Sequence, residues 1–293
     1  MRWRGRERSD NVRDHRGGVP RAALGGGGGL LVVIVMLIVK MMGGGQQAQN
    51  LAGGLARQVQ QQRAQADPGG GDGIEDDNRE FIEVVLNDTE EIWTDLFARQ
   101  VQGGGYRRPV LNIFTSRINT ACGTGQAAMG PFYCPADQEI YIDPTFFDDL
   151  ATRHGAPGDF AQAYVIAHEV AHHVQNLLGW NKPVQQARKS GDEILSNQMS
   201  VRLELQADFL AGVWAHHAHK EFNILESGDM EEAIQAANQI GDDTLQRQAT
   251  GTVIPERFTH GTSAQRVRWF KEGLRSGDLT KAELLFQLDY RRL

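Results

Sequence analysis

The chain has 293 residues, 40% of them apolar and 23% charged, enough to bury one substantial core. Its formal charge of −7 is unevenly spread: residues 1–45 carry eight basic and three acidic side chains, leaving the remainder at −12. An acidic body of this kind excludes a nucleic-acid footprint, and its acidity is read as a solubility device.

The first 21 residues are basic, with Arg2, Arg4, Arg6, Arg8, Arg13, Arg16 and Arg21 against Glu7, Asp10 and Asp14. An uncharged stretch follows at 22–39, and its last ten residues, LLVVIVMLIV, are strongly apolar. That length reaches the threshold for one spanning helix, although Gly25 to Gly29 weaken its first turns. Lys40 can snorkel to the interface. We therefore expect a transmembrane anchor at 22–42. Arginines before the span and few basic residues after it predict that 1–21 is cytoplasmic and the bulk of the chain lies outside. A cleaved signal peptide is the rival reading, but no clean A-x-A site follows the apolar run. Residues 43–78 are rich in Gln, Gly, Ala and Asp, and from 46 onward they lack aromatics, so they read as a flexible tether.

The remaining domain, 79–293, opens with an amphipathic helix at 79–102 that carries Ile82, Val85, Leu86, Trp93, Leu96 and Phe97. Residues 110–115 and 139–143 have strand character, and either could be an edge for an extended peptide or an ordinary core strand. Between them lie Cys122 and Cys134. Beyond a membrane the pair is expected to close a disulfide worth about 3 kcal/mol in the chain-entropy model. Zinc thiolates are the alternative, but the spacing is not C-x2-C. Helices are then predicted at 160–178, about 195–217, 230–240 and about 263–274. The fold class is α+β, mostly helical, with a small sheet beside the helix at 160–178.

That helix contains His168-Glu169-Val170-Ala171-His172, an H-E-x-x-H sequence. Histidines four apart share one helix face, so both imidazoles can reach one Zn2+, while Glu169 addresses a water at the metal. Ala163, Val165, Ile166 and Ala167 before the motif, and Val170, Ala171, Val174, Leu177 and Leu178 within and after it, make the helix apolar. Polar groups buried there are costly unless something satisfies them. Gln175 and Leu178 stand where metzincins have glycine and a third histidine, which excludes that group. Glu204 and Asp208 form another i,i+4 pair on the next helix. Glu204 is read as the third metal ligand, and Asp208 as the acceptor of a ligating histidine's free N–H. Ala211, Gly212 and Ala215 would let this helix approach the first. His216, His217 and His219 read as surface residues at a helix end, and His173 as structural.

H-E-x-x-H followed by a helix carrying E-x-x-x-D resembles the gluzincin metallopeptidases. More closely, the chain is similar to the bacterial family of putative neutral zinc metallopeptidases. The likeness runs through the basic start and hydrophobic anchor, CGTGQAAMGPFYCPADQEIYIDPTFF at 122–147, HEVAHHVQ, ELQADFLAGVWA and FTHGTSAQRVRWF at 258–270. The resemblance implies a zincin-like catalytic domain with one catalytic zinc, a peptide or protein substrate and a place in the bacterial inner membrane. Membrane prenyl-protein and heat-shock gluzincins carry a similar late histidine and arginine. By that likeness His260 would donate to the oxyanion and Arg266 would support charge at the site. Two other readings stay open: a zinc-stabilised, non-catalytic scaffold of the cell envelope, and a hydrolase of non-peptide amides. Substrate and oligomeric state are not legible in the sequence.

Overall fold

A computed structural model describes residues 1–16, 72–101, 104–152 and 155–293. The expected span at 22–42, and the tether as far as residue 71, lie outside the described residues. No helix among the described residues is long and apolar enough to cross a membrane. The chain divides into two units, 1–15 together with 78–293, and 16–77. Of the second unit only Arg16 and 72–77 are described, the latter as the first turns of a helix.

The elements run β1 Val12–Asp14, α1 Asp72–Gln100, β2 Val110–Ile113, β3 Arg117–Thr120, β4 Gly123–Gln126, β5 Phe132–Cys134 and β6 Glu139–Ile142. Helices follow: α2 Thr145–Thr152, α3 Asp159–Leu178, α4 Lys182–Ser190, α5 Glu193–Phe222, α6 Asp229–Gln239, α7 Asp242–Thr250, α8 Ser263–Ser276 and α9 Leu284–Gln287. The domain is thus a mostly helical α+β fold with a small mixed sheet. Helix α1 starts seven residues before the predicted 79, at a run where four of six residues are acidic, which suits a helix N-terminus.

The main sheet has the order β1-β2-β6-β5. Strands β1, β2 and β6 are parallel, with Val12 opposite Leu111 and Leu111 opposite Ile140, and β5 runs antiparallel to β6. Leu111, Ile113, Ile140 and Ile142 are fully buried, as expected of central parallel strands covered on both faces. Edge or core was left open for these strands, and the sheet order makes both interior. Among the described residues β1 and β5 form the edges. A hairpin of β3 and β4 stands apart from this sheet, and the disulfide Cys122–Cys134 ties it to β5.

Strand β1 was not predicted, and it falls within the basic segment 1–21. Residues 1–15 belong to the same folded unit as residues 78–293. Trp3 sits edge-on to Phe81 at 5.3 Å. Arg6 forks onto Asp88, with Nη2 donating to Oδ1 at 2.6 Å, and the Asp88 side chain has no exposed surface. Ser9 and Asn11 donate to the buried Glu90 at 3.0 and 2.7 Å. Asp88 and Glu90 interrupt the apolar face of α1, and residues 1–15 supply hydrogen-bond partners for both. Stripping the partner from a buried charge of this kind costs about 3–5 kcal/mol.

Around the site, α3 buries Phe160, Tyr164, Val165, Ile166, Val170 and Val174, and it ends at Gly179 in the left-handed region (φ 72°). Asp192 caps α5 by accepting from Leu195 N–H at 3.0 Å. Thr262 and Gln265 form a capping box at the start of α8, where the sequence predicted a helix entry. The close approach expected of Gly212 is to α8 and not to α3. A Cβ on Gly212 would strike the α8 backbone at Phe270, and one on Gly273 would strike α5 at Phe209. Two facing glycines let α5 and α8 touch backbone to backbone. That contact brings Arg266 up to Asp208.

Candidate active site

Residues 164, 168 and 172 are spaced by four along α3 and share one face. Opposite them, α5 presents 204 and 208 from another such face. One acceptor oxygen of Glu204 meets both histidines: Oε2 lies 3.1 Å from His168 Nε2 and 3.5 Å from His172 Nε2. His168, His172 and Glu204 can each offer one ligand atom, all within 4.8 Å of one another.

The outer nitrogens of both histidines are occupied. His168 Nδ1 lies 2.9 Å from Asp208 Oδ1, and that same oxygen accepts from Tyr164 OH at 2.5 Å. Arg266 donates to both oxygens of Asp208, each at 2.9 Å, and to Ile240 O at 3.2 Å. His172 Nδ1 lies 2.8 Å from Gln175 Oε1. Gln175 in turn donates to Leu203 O at 2.7 Å and to Gln206 Oε1 at 3.0 Å, and Gln206 donates to Ala282 O at 2.8 Å. With each Nδ1 engaged, both Nε2 atoms are left facing Glu204.

The charges agree with the geometry. Burial would push the Asp208 carboxyl up, but Arg266 and His168 hold it down at about 2. Burial opposes a charged His168, yet Asp208 and Glu204 raise it to about 9. Glu204 is held well below the usual carboxylate range by His172 and His168, against the effect of burial. The space among these three groups thus favours positive charge. Two imidazole nitrogens and a carboxylate oxygen with fixed tautomers also match the donor set of a catalytic zinc site. Glu169, the next residue after His168, is 8% exposed and lies close enough to His172 to favour its charged form.

His260 approaches from the loop before α8. The hydrogen bond from its Nδ1 to Asp242 Oδ1, 3.1 Å long, raises its pKa, and Glu204 adds to the effect. Oδ2 of Asp242 accepts the N–H groups of Thr259, His260 and Gly261 at 2.7, 2.6 and 3.0 Å, so one carboxylate fixes both the loop and the ring. His260 keeps a half-exposed side chain. Arg266, by contrast, is buried and bonded to Asp208 and Tyr164, so the charge it meets at the site is that of Asp208.

Other histidines stand apart from this cluster. His173 is fully buried, with Nε2 2.6 Å from Arg107 O and Nδ1 3.2 Å from Tyr133 OH. Burial lowers its pKa to about 4. Tyr133 also accepts from Asn176 at 3.1 Å, which fixes the edge strand β5 against α3. His216 and His217 are not loose surface residues, since they bond Leu274 O and Gly277 O at the end of α8. A second carboxylate group is Asp159, Asp229 and Glu232, of which Asp159 and Asp229 hold the Met1 amine at 2.5 and 3.2 Å and Glu232 accepts from Phe160 N–H at 3.1 Å.

Tyr164, Gln175, Gln206 and Asp242 are the site residues that sequence reasoning missed. The first two carried a signal, being i−4 from His168 and i+3 from His172 on the motif's own face. Gln206 and Asp242 carried none.

Residues 1–285 match the family described as putative neutral zinc metallopeptidase. The chain is 45% identical over 284 residues to the uncharacterized protein YpfJ of Escherichia coli K12, covering 95% of this chain and 96% of that protein. It is 40% identical over 202 residues to the uncharacterized protein Rv2575 of Mycobacterium tuberculosis H37Rv, covering 66% of this chain and 65% of the relative. No solved structure matches. With the family matched over nearly the whole length and the His168, His172 and Glu204 cluster assembled inside it, the chain belongs to the putative neutral zinc metallopeptidases.

Proposed function

We propose that the protein is a zinc-dependent peptidase of gluzincin type that hydrolyses peptide bonds in a peptide or protein substrate. The observation that carries this reading is the convergence of His168 Nε2, His172 Nε2 and Glu204 Oε2, with Glu169 beside them. These three side chains would hold one Zn2+. When bound, zinc supplies a Lewis acid that polarises a carbonyl and lowers the pKa of water.

The chain's own groups perform the proton work. Glu169 takes a proton from the attacking water as its oxygen bonds to the carbonyl carbon. It then passes that proton to the amide nitrogen as the C–N bond breaks, so a carboxylate and an amine leave. His260, with Nδ1 held by Asp242, has Nε2 free to donate to the oxygen that becomes negative. Asp208, Arg266 and Gln175 touch no substrate, and their part is to hold the two histidines. The edge of β5 that has no strand partner among the described residues, tied to α3 through Tyr133, is our candidate for holding an extended peptide. The Cys122–Cys134 disulfide supports our reading that the body works in an oxidising compartment outside the cytoplasm, and the apolar run within 22–42 is our candidate for attachment to the inner membrane.

The test is hydrolysis of an unstructured protein by the full, zinc-loaded chain beside its Glu169→Gln variant. The parent should cleave, while the variant should bind zinc and not cleave. Undiminished turnover in the variant removes Glu169 as the base. No cleavage by either, with zinc bound, favours the non-catalytic scaffold.

A further inference from the structure

The first fifteen residues and the body of the protein form one folded unit, and this bears on how the chain meets a membrane. We infer that residues 1–15 and 78–293 lie on the same side of the bilayer, so that the apolar stretch at 22–39 engages the membrane without a net crossing. The inference does not depend on the zinc chemistry.

Strand β1 is paired in register with β2, with Val12 opposite Leu111, Arg13 opposite Asn112 and Asp14 opposite Ile113. Arg6 on Asp88, and Ser9 and Asn11 on Glu90, join the same segment to the buried face of α1. The chain leaves this body and returns to it at neighbouring points, since Arg79 Nη1 lies 3.9 Å from Asp14 Oδ2. A single crossing at 22–39 would set those two points on opposite sides of a hydrocarbon core about 30 Å thick.

The chain has no means of crossing back on either flank. Between β1 and the apolar stretch lie residues 15–21, which reach at most about 25 Å when fully extended and carry Arg16 and Arg21. On the other flank, residues 40–77 contain no second apolar run approaching the roughly 20 residues that a spanning helix needs. With both returns closed, a crossing and the pairing of β1 are mutually exclusive. The arginines that precede the apolar stretch point to a cytoplasmic N-terminus only if they are free of the fold, and Arg6 and Arg13 are held within it by Asp88 and Glu139.

The experiment places one cysteine at an exposed position on each part of the full chain, Glu7→Cys in one protein and Lys271→Cys in another. A membrane-impermeant maleimide is then applied to intact spheroplasts, and again after detergent. Cys122 and Cys134 are bonded to each other, so the parent chain gives the unlabelled background. We expect both positions to label to similar extents before detergent. If both label only after detergent, the shared side stands and the extracytoplasmic placement fails. If one labels before detergent and the other only after it, the inference is overturned.

Discussion

Arg266 grips Asp208 with two parallel hydrogen bonds of 2.9 Å, from Nε to Oδ2 and from Nη2 to Oδ1, and both side chains are buried. Asp208 is thereby kept ionised, with its carboxyl at about 2, and able to accept from His168 Nδ1. Replacing Arg266 by Met leaves Asp208 as a buried charge without its principal partner. Such a break costs about 3–5 kcal/mol of stability, and loss of an outer partner of a ligating histidine costs about 10–100-fold in metal affinity. Zinc titration against a competing chelator, on folded protein, checks the second figure. An affinity equal to that of the parent would remove Arg266 from the metal site's support.

The pairing of His260 with Asp242 separates a transition-state role from a binding role. Replacing His260 by Ala should lower kcat by about 10²–10³, the usual cost of losing an oxyanion donor, while zinc content and KM stay near those of the parent. Asp242→Asn should also lower kcat, because it weakens the acceptor for His260 Nδ1. Steady-state kinetics on zinc-matched preparations decide the matter. A change confined to KM would make His260 a substrate-binding residue instead.

Legibility followed local periodicity. The helix holding His168 and His172, and the i,i+4 pair of Glu204 and Asp208, could be read because each pattern repeats along one face of one helix. Strands β2 and β6 could be read because Val110, Leu111, Ile113, Ile140 and Ile142 are apolar and mostly β-branched, but their neighbours in the sheet could not, so edge and core stayed undecided. Gly212 showed that α5 would be approached closely without showing by which helix. Only the folded chain sets it against Gly273. Strand β1 left no signal, since Val12-Arg13-Asp14 is short and charged, and its reason for docking lies in Asp88 and Glu90, about eighty positions from the groups that bond them. Asp242 was equally hidden, because its work is to collect three backbone N–H groups from a loop seventeen to nineteen residues downstream.

His173 gives a pH dependence of defined sign. Burial holds its folded pKa at about 4, against 6.5 for the ordinary imidazole. Between those values the unfolded chain binds more protons than the folded one, so stability is complete above pH 6.5 and falls as the pH drops towards 4. A shift of this size corresponds to about 3 kcal/mol. Denaturant unfolding of the parent and of His173→Gln at pH 7.5 and pH 4.5 isolates the effect as a difference in slope. Parallel losses in the two proteins would assign the acid sensitivity to other groups.

A fragment beginning at Asp72 keeps the whole of α1 and every residue of the candidate metal cluster, yet it lacks the segment that pairs Asp88 with a cation and donates hydrogen bonds to Glu90. Asp88 loses Arg6, Glu90 loses Ser9 and Asn11, Phe81 loses Trp3, and β2 becomes an unpaired edge. The Asp88 term alone is about 3–5 kcal/mol, against a typical total of 5–15 kcal/mol for a domain. The 72–293 fragment is therefore expected to melt far below the full chain or to aggregate. A peptide of residues 1–15 added in trans should raise its Tm, and a peptide carrying Arg6→Ala should raise it less. A fragment whose Tm lies within a degree or two of the full chain, with no response to the peptide, would show that residues 1–15 lean on the body without supporting it.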